Sequence, residues 1–317
     1  MKIKFLGTGG GRFTTISQQR MTGGFRIDDI NGQNYHFDPG PGALVRTYQF
    51  GLNPIDIDGI FVSHSHTDHY NDCEIMIEAM TKGMTKEKGI IIGSGSVFEG
   101  FQQWGPCISK YHQSKSKNII LSANKTQKIG NMNIKGTKTL HGDPTGVGFQ
   151  LEHENIKISY ISDTLYFDDL WKYHESADIL IGNIIRPKDE HIRGHMTGNN
   201  FIQVINQVKP QIAIMTHFSL KRKDENPEIE ANRIKKETGT NTIAAFDGME
   251  LEINKKSPKD SKVTILKDKC INNKNNKIRA MNIFKKDNYK QTTINQKFNS
   301  NSNKSFSPSV EKSKKYK

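Results

Sequence analysis

Cysteine is scarce in this chain. Cys73, Cys107 and Cys270 are the only three in 317 residues, which excludes a disulfide framework and a Cys-x-x-Cys metal site. Cys73 falls on an apolar helical face and is expected in the core. Few, scattered thiols fit a reducing, cytoplasmic setting. Long apolar runs are missing too. Nothing approaches the roughly 20 residues of a membrane-crossing helix. The opening Met1-Lys2-Ile3-Lys4-Phe5-Leu6-Gly7 offers no segment suited to a signal peptide, and no membrane association is expected.

Acidic residues are nearly absent from the last fifth of the chain. Residues 255–317 hold 18 Lys/Arg and 4 Asp/Glu (+14); residues 1–254 hold the other 28 and 29 (−1) of the chain's 46 and 33. The overall charge of +13 therefore belongs to the tail. From Lys255 onward Lys, Asn and Ser dominate and apolar periodicity stops, as in Asn272-Asn273-Lys274-Asn275-Asn276-Lys277. The expected organisation is a catalytic body over 1–254 and a disordered basic tail over 255–317. Such a tail is compatible with a weak nucleic-acid tether.

Ile3, Phe5 and Leu6 read as a first strand, followed by Gly7-Thr8-Gly9-Gly10-Gly11. Neither a Gly-Lys-Ser/Thr ending nor a Gly-x-Gly-x-x-Gly spacing is present, so this is a tight loop first and a phosphate cradle second. Phe25–Ile27 and Tyr35–Phe37 suggest a hairpin around Asn31-Gly32, closed by Asp38-Pro39-Gly40. Ala43–Phe50 reads as a helix. Cys73, Met76, Ile77, Met80 and Met84 recur at helical spacing. Apolar runs at 89–93, 119–121, 132–134, 147–151, 156–161, 177–181 and 212–215 read as strands. Phe201, Val204, Ile205 and Val208 mark a helix capped by Thr197 or Asn199. Pro227–Glu237 reads as a polar helix, and residues 244–251 as a closing hairpin.

The chemistry concentrates in Ser63-His64-Ser65-His66-Thr67-Asp68-His69, just past the apolar run Ile60-Phe61-Val62. His64 and His66, two apart on an extended chain, face one way. Three imidazoles and a carboxylate in six residues is a metal-ligand density. His141, Asp163 and His217 stand at the ends of later strands, where a single His or Asp is by itself ordinary.

The His-x-His-x-Asp-His motif resembles that of the metallo-β-lactamase superfamily, and the resemblance covers about residues 1–254. It implies a four-layer αβ/βα sandwich with α/β architecture and two divalent ions, with zinc favoured and manganese or iron compatible. In that pattern His64, His66 and His141 hold one ion, Asp68, His69 and His217 the other, and Asp163 bridges them. Asp38 supports ligands by hydrogen bonding. A bridging water would lose its proton near neutral pH and attack, with Asp68 orienting it. The opening Phe5-Leu6-Gly7-Thr8-Gly9 and the Gly194-His195-Met196-Thr197 motif resemble the ribonuclease Z branch, whose corresponding histidine, here His195, passes a proton to the leaving group.

That branch has a Glu where this chain reads Gly182-Asn183-Ile184-Ile185, a Gly where it has Ser162, and often an RNA-clamping arm that has no counterpart between His69 and Asp163. The expected function is accordingly a dinuclear metal-dependent phosphodiesterase acting on a small-molecule or RNA phosphodiester. A hydrolase of small esters, lactones or cyclic phosphates is the alternative enzyme, and an RNA-binding protein with a basic tail the alternative of another class. A homodimer is compatible with the sequence.

Overall fold

The computed structural model describes residues 1–30, 32–219 and 226–266. Asn31 of the expected Asn31-Gly32 turn lies outside the described residues, as does the tail from 267 onward. In chain order the strands are β1 (Lys2–Phe5), β2 (Phe25–Ile30), β3 (Gln33–Phe37), β4 (Gly59–Val62), β5 (Ile90–Gly93), β6 (Lys117–Ile120), β7 (Thr126–Ile129), β8 (Met132–Lys138), β9 (Val147–His153), β10 (Ile156–Tyr160), β11 (Ile179–Arg186), β12 (Met196–Thr197), β13 (Ile212–Thr216), β14 (Asn241–Ala244), β15 (Met249–Glu252) and β16 (Lys262–Ile265). The helices are α1 (Arg12–Ser17), α2 (Ala43–Gln49), α3 (Thr67–Tyr70), α4 (Cys73–Met80), α5 (Gly95–Phe98), α6 (Lys110–Gln113), α7 (Gly198–Val208) and α8 (Pro227–Thr238).

Two sheets result. One runs β16-β15-β1-β2-β3-β4-β5-β6, and the other β14-β13-β11-β10-β9-β8-β7, with β12 paired to β11. Strands β3 to β6 are parallel, as are β10, β11, β13 and β14. The central parallel strands β4, β5, β11 and β13 are covered on both faces, which is why they read as nearly unbroken apolar runs. In β4, Phe61 joins the core between the sheets while Ile60 and Val62 point outward to Cys73, Met76 and Ile77 of α4. In β13, Ile212 and Ile214 face inward, and Ala213 and Met215 pack with Phe201, Val204 and Ile205 of α7. Three apolar layers separated by two sheets make the αβ/βα sandwich. Each fully buried Ile, Val or Phe contributes about 1.5–3 kcal/mol to it.

Three expectations need correction. Residues 244–251 do not form a hairpin, because β14 pairs with β13 in one sheet and β15 with β1 in the other. Met84 lies beyond the end of α4 and adopts φ 61°, so only the first part of its apolar series is helical. The folded body also passes residue 254: β16 pairs antiparallel with β15, and the Leu266 amide donates to the Gly248 carbonyl at 2.7 Å. Val263 and Ile265 are exposed on this edge strand, so its composition carries no burial signal.

Candidate metal centre

The expected ligands converge at the strand ends between the two sheets, rather than along one sheet edge. His64, His66, His141 and Asp163 form one group; Asp68, His69 and His217 form a second; and Asp163, His195 and His217 meet as well, with the candidate ligand atoms of each group within 4.8 Å of one another. His66 Nδ1 lies 3.0 Å from His64 Nε2 and 2.9 Å from His141 Nε2, while His69 Nε2 lies 3.2 Å from His217 Nε2. Asp163 stands between the groups. Its Oδ2 is 3.3 Å from His69 Nε2 and 3.6 Å from His141 Nε2, and its Oδ1 is 3.3 Å from His217 Nε2.

Outer hydrogen bonds fix which nitrogen faces inward. His69 Nδ1 donates to Asp38 Oδ2, and His141 Nδ1 donates to the Gly194 carbonyl, both at 2.8 Å. His64 Nδ1 meets Ser63 Oγ at 2.9 Å, and that hydroxyl donates to Asp38 Oδ2 at 2.8 Å. Asp38 also accepts the Ser63 amide at 2.7 Å and the Tyr160 hydroxyl at 2.7 Å. One buried carboxylate thus aligns two histidines of different groups. Asp38 (φ 49°), Ser162 (φ 63°) and His217 (φ 65°) all adopt left-handed backbone, costing about 1–2 kcal/mol each. Ser162 is the position where the related family has a Gly, which would relax that strain.

The glycine loop has a structural task in place of phosphate binding. Amides 7 to 11 donate, in order, to the Gly24 carbonyl, Asp247 Oδ1, the Met21 carbonyl, the Phe218 carbonyl and Asp68 Oδ2. None of these five is left for a phosphate. A Cβ on Gly10 would lie 2.2 Å from the His217 ring, so the loop packs this closely only because Gly10 has none.

Electrostatics fit a cation. Burial, with His69 and His141 adding to it, holds His64 well below the usual imidazole pKa. Burial and then His141 lower His66 to about 4. Both rings therefore carry a free lone pair at neutral pH. His69 goes the other way: burial opposes its charge, but Asp163, Asp68 and Asp38 hold it well above the usual value. Burial also disfavours charge on Asp68 and Asp163, yet the surrounding histidines, led by His69 for Asp68 and His217 for Asp163, keep both carboxyls below their ordinary range. Buried carboxylates and imidazoles converge here, and such a cluster needs charge compensation. Ligands held 2.0–2.1 Å from a tetrahedral ion sit about 3.3 Å apart, close to the spacings present here. The donor set fits divalent metal.

His195 sits beside the cluster. Its Nδ1 is 3.6 Å from Asp163 Oδ2 and makes no hydrogen bond, and its ring centroid is 4.8 Å from that of His141. The turn carrying it is pinned by the capping box at α7. Thr197 Oγ1 accepts the Asn200 amide, and Asn200 Oδ1 accepts the Thr197 amide at 3.1 Å. Thr197, not Asn199, is the cap. His36, His112, His153, His174 and His191 belong to none of the three groups.

Three supporting residues were not legible as such. Asn183 Nδ2 donates to Asp163 Oδ1 at 2.7 Å and to the Tyr160 hydroxyl at 3.1 Å. Asp143 accepts from the Ser65 amide and hydroxyl, the Thr145 amide and hydroxyl, and the Ser96 hydroxyl, tying the first motif to the His141 loop. Asp247 holds the glycine loop through Thr8 and Met21. Asn183 had a signal, as a lone amide inside the apolar strand Ile179–Arg186.

Comparison with known proteins agrees with this geometry. A family model described as a β-lactamase superfamily domain matches residues 33–218. An uncharacterized protein of Methanocaldococcus jannaschii is 44% identical over 256 residues, covering 80% of this chain and 95% of that one. Ribonuclease Z of Pyrobaculum aerophilum is 23% identical over 270 residues, covering 74% and 92%. The metallo-β-lactamase fold protein YhfI from Bacillus subtilis superposes with a TM-score of 0.65 at 20% identity, covering 78% and 98%. Ligand spacing, sandwich and sequence together mean that the chain belongs to the metallo-β-lactamase superfamily, as a metal-dependent hydrolase similar to ribonuclease Z.

Proposed function

We propose that this hydrolase is a phosphodiesterase working with two zinc ions. His64, His66 and His141 would hold one ion, Asp68, His69 and His217 the other, and Asp163 would serve both. The observation that carries this reading is the position of Asp163, with oxygens 3.3 Å from His69 Nε2 and from His217 Nε2 and 3.6 Å from His141 Nε2. Imidazole and carboxylate donors suit zinc. Such a pair, when bound, makes water nucleophilic near neutral pH and stabilises charge building on phosphorus.

The protein's own groups supply positioning and the proton. Asp68 Oδ2, fixed by the Gly11 amide at 2.9 Å, orients the attacking water. His195 Nδ1 is turned toward Asp163, and Nε2 makes no hydrogen bond among the described residues, so Nε2 is the atom placed to give a proton to the leaving oxygen. Asn183, in the stretch Gly182–Ile185 that lacks the Glu of the ribonuclease Z pattern, donates to Asp163, so it positions the carboxylate and leaves His195 without a carboxylate of its own.

The test is metal content together with turnover of bis(p-nitrophenyl) phosphate and of a simple lactone, for the wild type, Asp163→Ala and His195→Ala. Two ions per chain and phosphodiester turnover lost in both variants support the reading. Lactone turnover alone, indifferent to His195→Ala, would replace it with the small-ester reading, which the charge of −1 on residues 1–254 favours.

A further inference from the structure

Arginine is distributed unevenly. The chain has nine, at 12, 20, 26, 46, 186, 193, 222, 233 and 279, and none between Arg46 and Arg186. Several are committed to the fold. Arg26 pairs with Asp28 at 3.0 Å, Arg233 with Glu230 and Glu237, Arg46 bonds Gln49, and Arg186 has an interaction of its own. Arg222 and Arg279 lie outside the described residues. Arg12, Arg20 and Arg193 remain, and none of them makes an ion pair among the described residues.

Each of these three is tethered to a different part of the metal centre. Arg12 follows Gly11, whose amide donates to Asp68 Oδ2 at 2.9 Å. Arg193 precedes Gly194, whose carbonyl accepts His141 Nδ1 at 2.8 Å, and stands two residues before His195. Arg20 Cζ lies 5.3 Å over the ring of Phe218, the residue after His217. Arg20 is also packed under the glycine loop, where a Cβ on Gly9 would meet its Cβ at 2.9 Å. Arg12 and Arg193 are exposed and Arg20 half-buried.

We propose that Arg12, Arg20 and Arg193 form an anion clamp at the mouth of the metal centre, which takes the phosphates flanking the scissile one. This rests on the phosphodiesterase reading and narrows its substrate class to polyanionic phosphodiesters, short oligonucleotides among them. The guanidinium fork matches phosphate oxygens in pairs, and one held over an aromatic ring is already oriented. A body of charge −1 still attracts such a substrate when three uncompensated guanidiniums gather at the site.

The probes are two thymidine dinucleotides, one with a 5′-terminal phosphate and one without, given to the metal-loaded full chain. The expected wild-type result is a KM about tenfold lower for the phosphorylated dinucleotide, with the advantage shrinking as salt rises. Arg12→Gln, Arg193→Gln and Arg20→Lys should each erode that ratio about three- to tenfold, acting on KM more than on kcat. Lys128→Gln, which removes the same charge from the outer strand β7, should leave it unchanged. Arg12 and Arg193 are exposed, so their variants report even if Arg20→Lys folds poorly. Cleavage of both dinucleotides with no ratio, or with a ratio the arginine variants do not move, overturns the clamp alone. Cleavage of neither overturns the phosphodiesterase reading and the clamp with it.

Discussion

His69 Nδ1 donates a 2.8 Å hydrogen bond to Asp38 Oδ2. The same oxygen accepts the hydroxyls of Ser63 and Tyr160 at 2.8 and 2.7 Å. Asp38 therefore sets the inward direction of His69 directly and of His64 through Ser63. Asp38→Asn keeps the shape but turns an amide group toward donors. Metal affinity should fall about 10–100-fold, read by competition with a chelator on protein still folded by circular dichroism. Unchanged affinity with a lowered Tm would show that Asp38 acts on stability alone.

Gly10 tests how the two ligand groups depend on the glycine loop. In Gly10→Ala the new Cβ would lie 2.2 Å from the His217 ring, so loop or ring must move. The expected outcome is loss of the ion held by Asp68, His69 and His217, with the ion on His64, His66 and His141 retained. Metal analysis should then return about one ion per chain in place of two. Two ions would show that the loop yields instead.

Buried histidines away from the site give the protein a predictable acid response. Burial lowers His36 to about 4 and His174 to about 3. Below about pH 6.5 the unfolded chain takes up protons that the folded chain refuses. Their contribution is thus fully present above that pH and is lost as acid is added. At pH 5 each costs at most about 2 kcal/mol. Denaturant midpoints at pH 7.5 and pH 5 should separate accordingly. His174→Gln should lower the midpoint at pH 7.5, because Ser159 Oγ loses its partner at His174 Nδ1, yet flatten the pH dependence.

The truncation point matters. Cutting after Leu266 should leave turnover of a small phosphodiester and Tm unchanged, since β16 and the Leu266 bond to Gly248 remain. Cutting after Asn254 removes β16 and exposes the β15 edge, and Tm should fall by several degrees. Reduced turnover after the cut at Leu266 would assign the tail a part in catalysis.

Much of the centre could be read from local pattern. The end of β4 puts His64 and His66 on one face, whereas His141, Asp163 and His217 were marked as ligands only by the order in which they follow that motif, as in the family it resembles. The supporting shell could not be read this way. Tyr160 meets Asp38 across 122 residues of chain, and Asp143 meets Ser65 across 78, so neither has a nearby pattern to reveal it.

The sequence by itself determined where the main apolar strands and helices form and which residues are able to bind metal, because burial and ligand chemistry are written in local periodicity and residue type. The tertiary structure decided which sheet each strand joins. The stretch at 244–251 separates into β14 and β15 of opposite sheets, because a strand's apolar pattern reports that it is buried and not what it is buried against. The same closure brought Asn183 to Asp163 and turned the glycine loop into a brace for His217. Those are relations between segments far apart in the chain, and only packing of the two sheets fixes them.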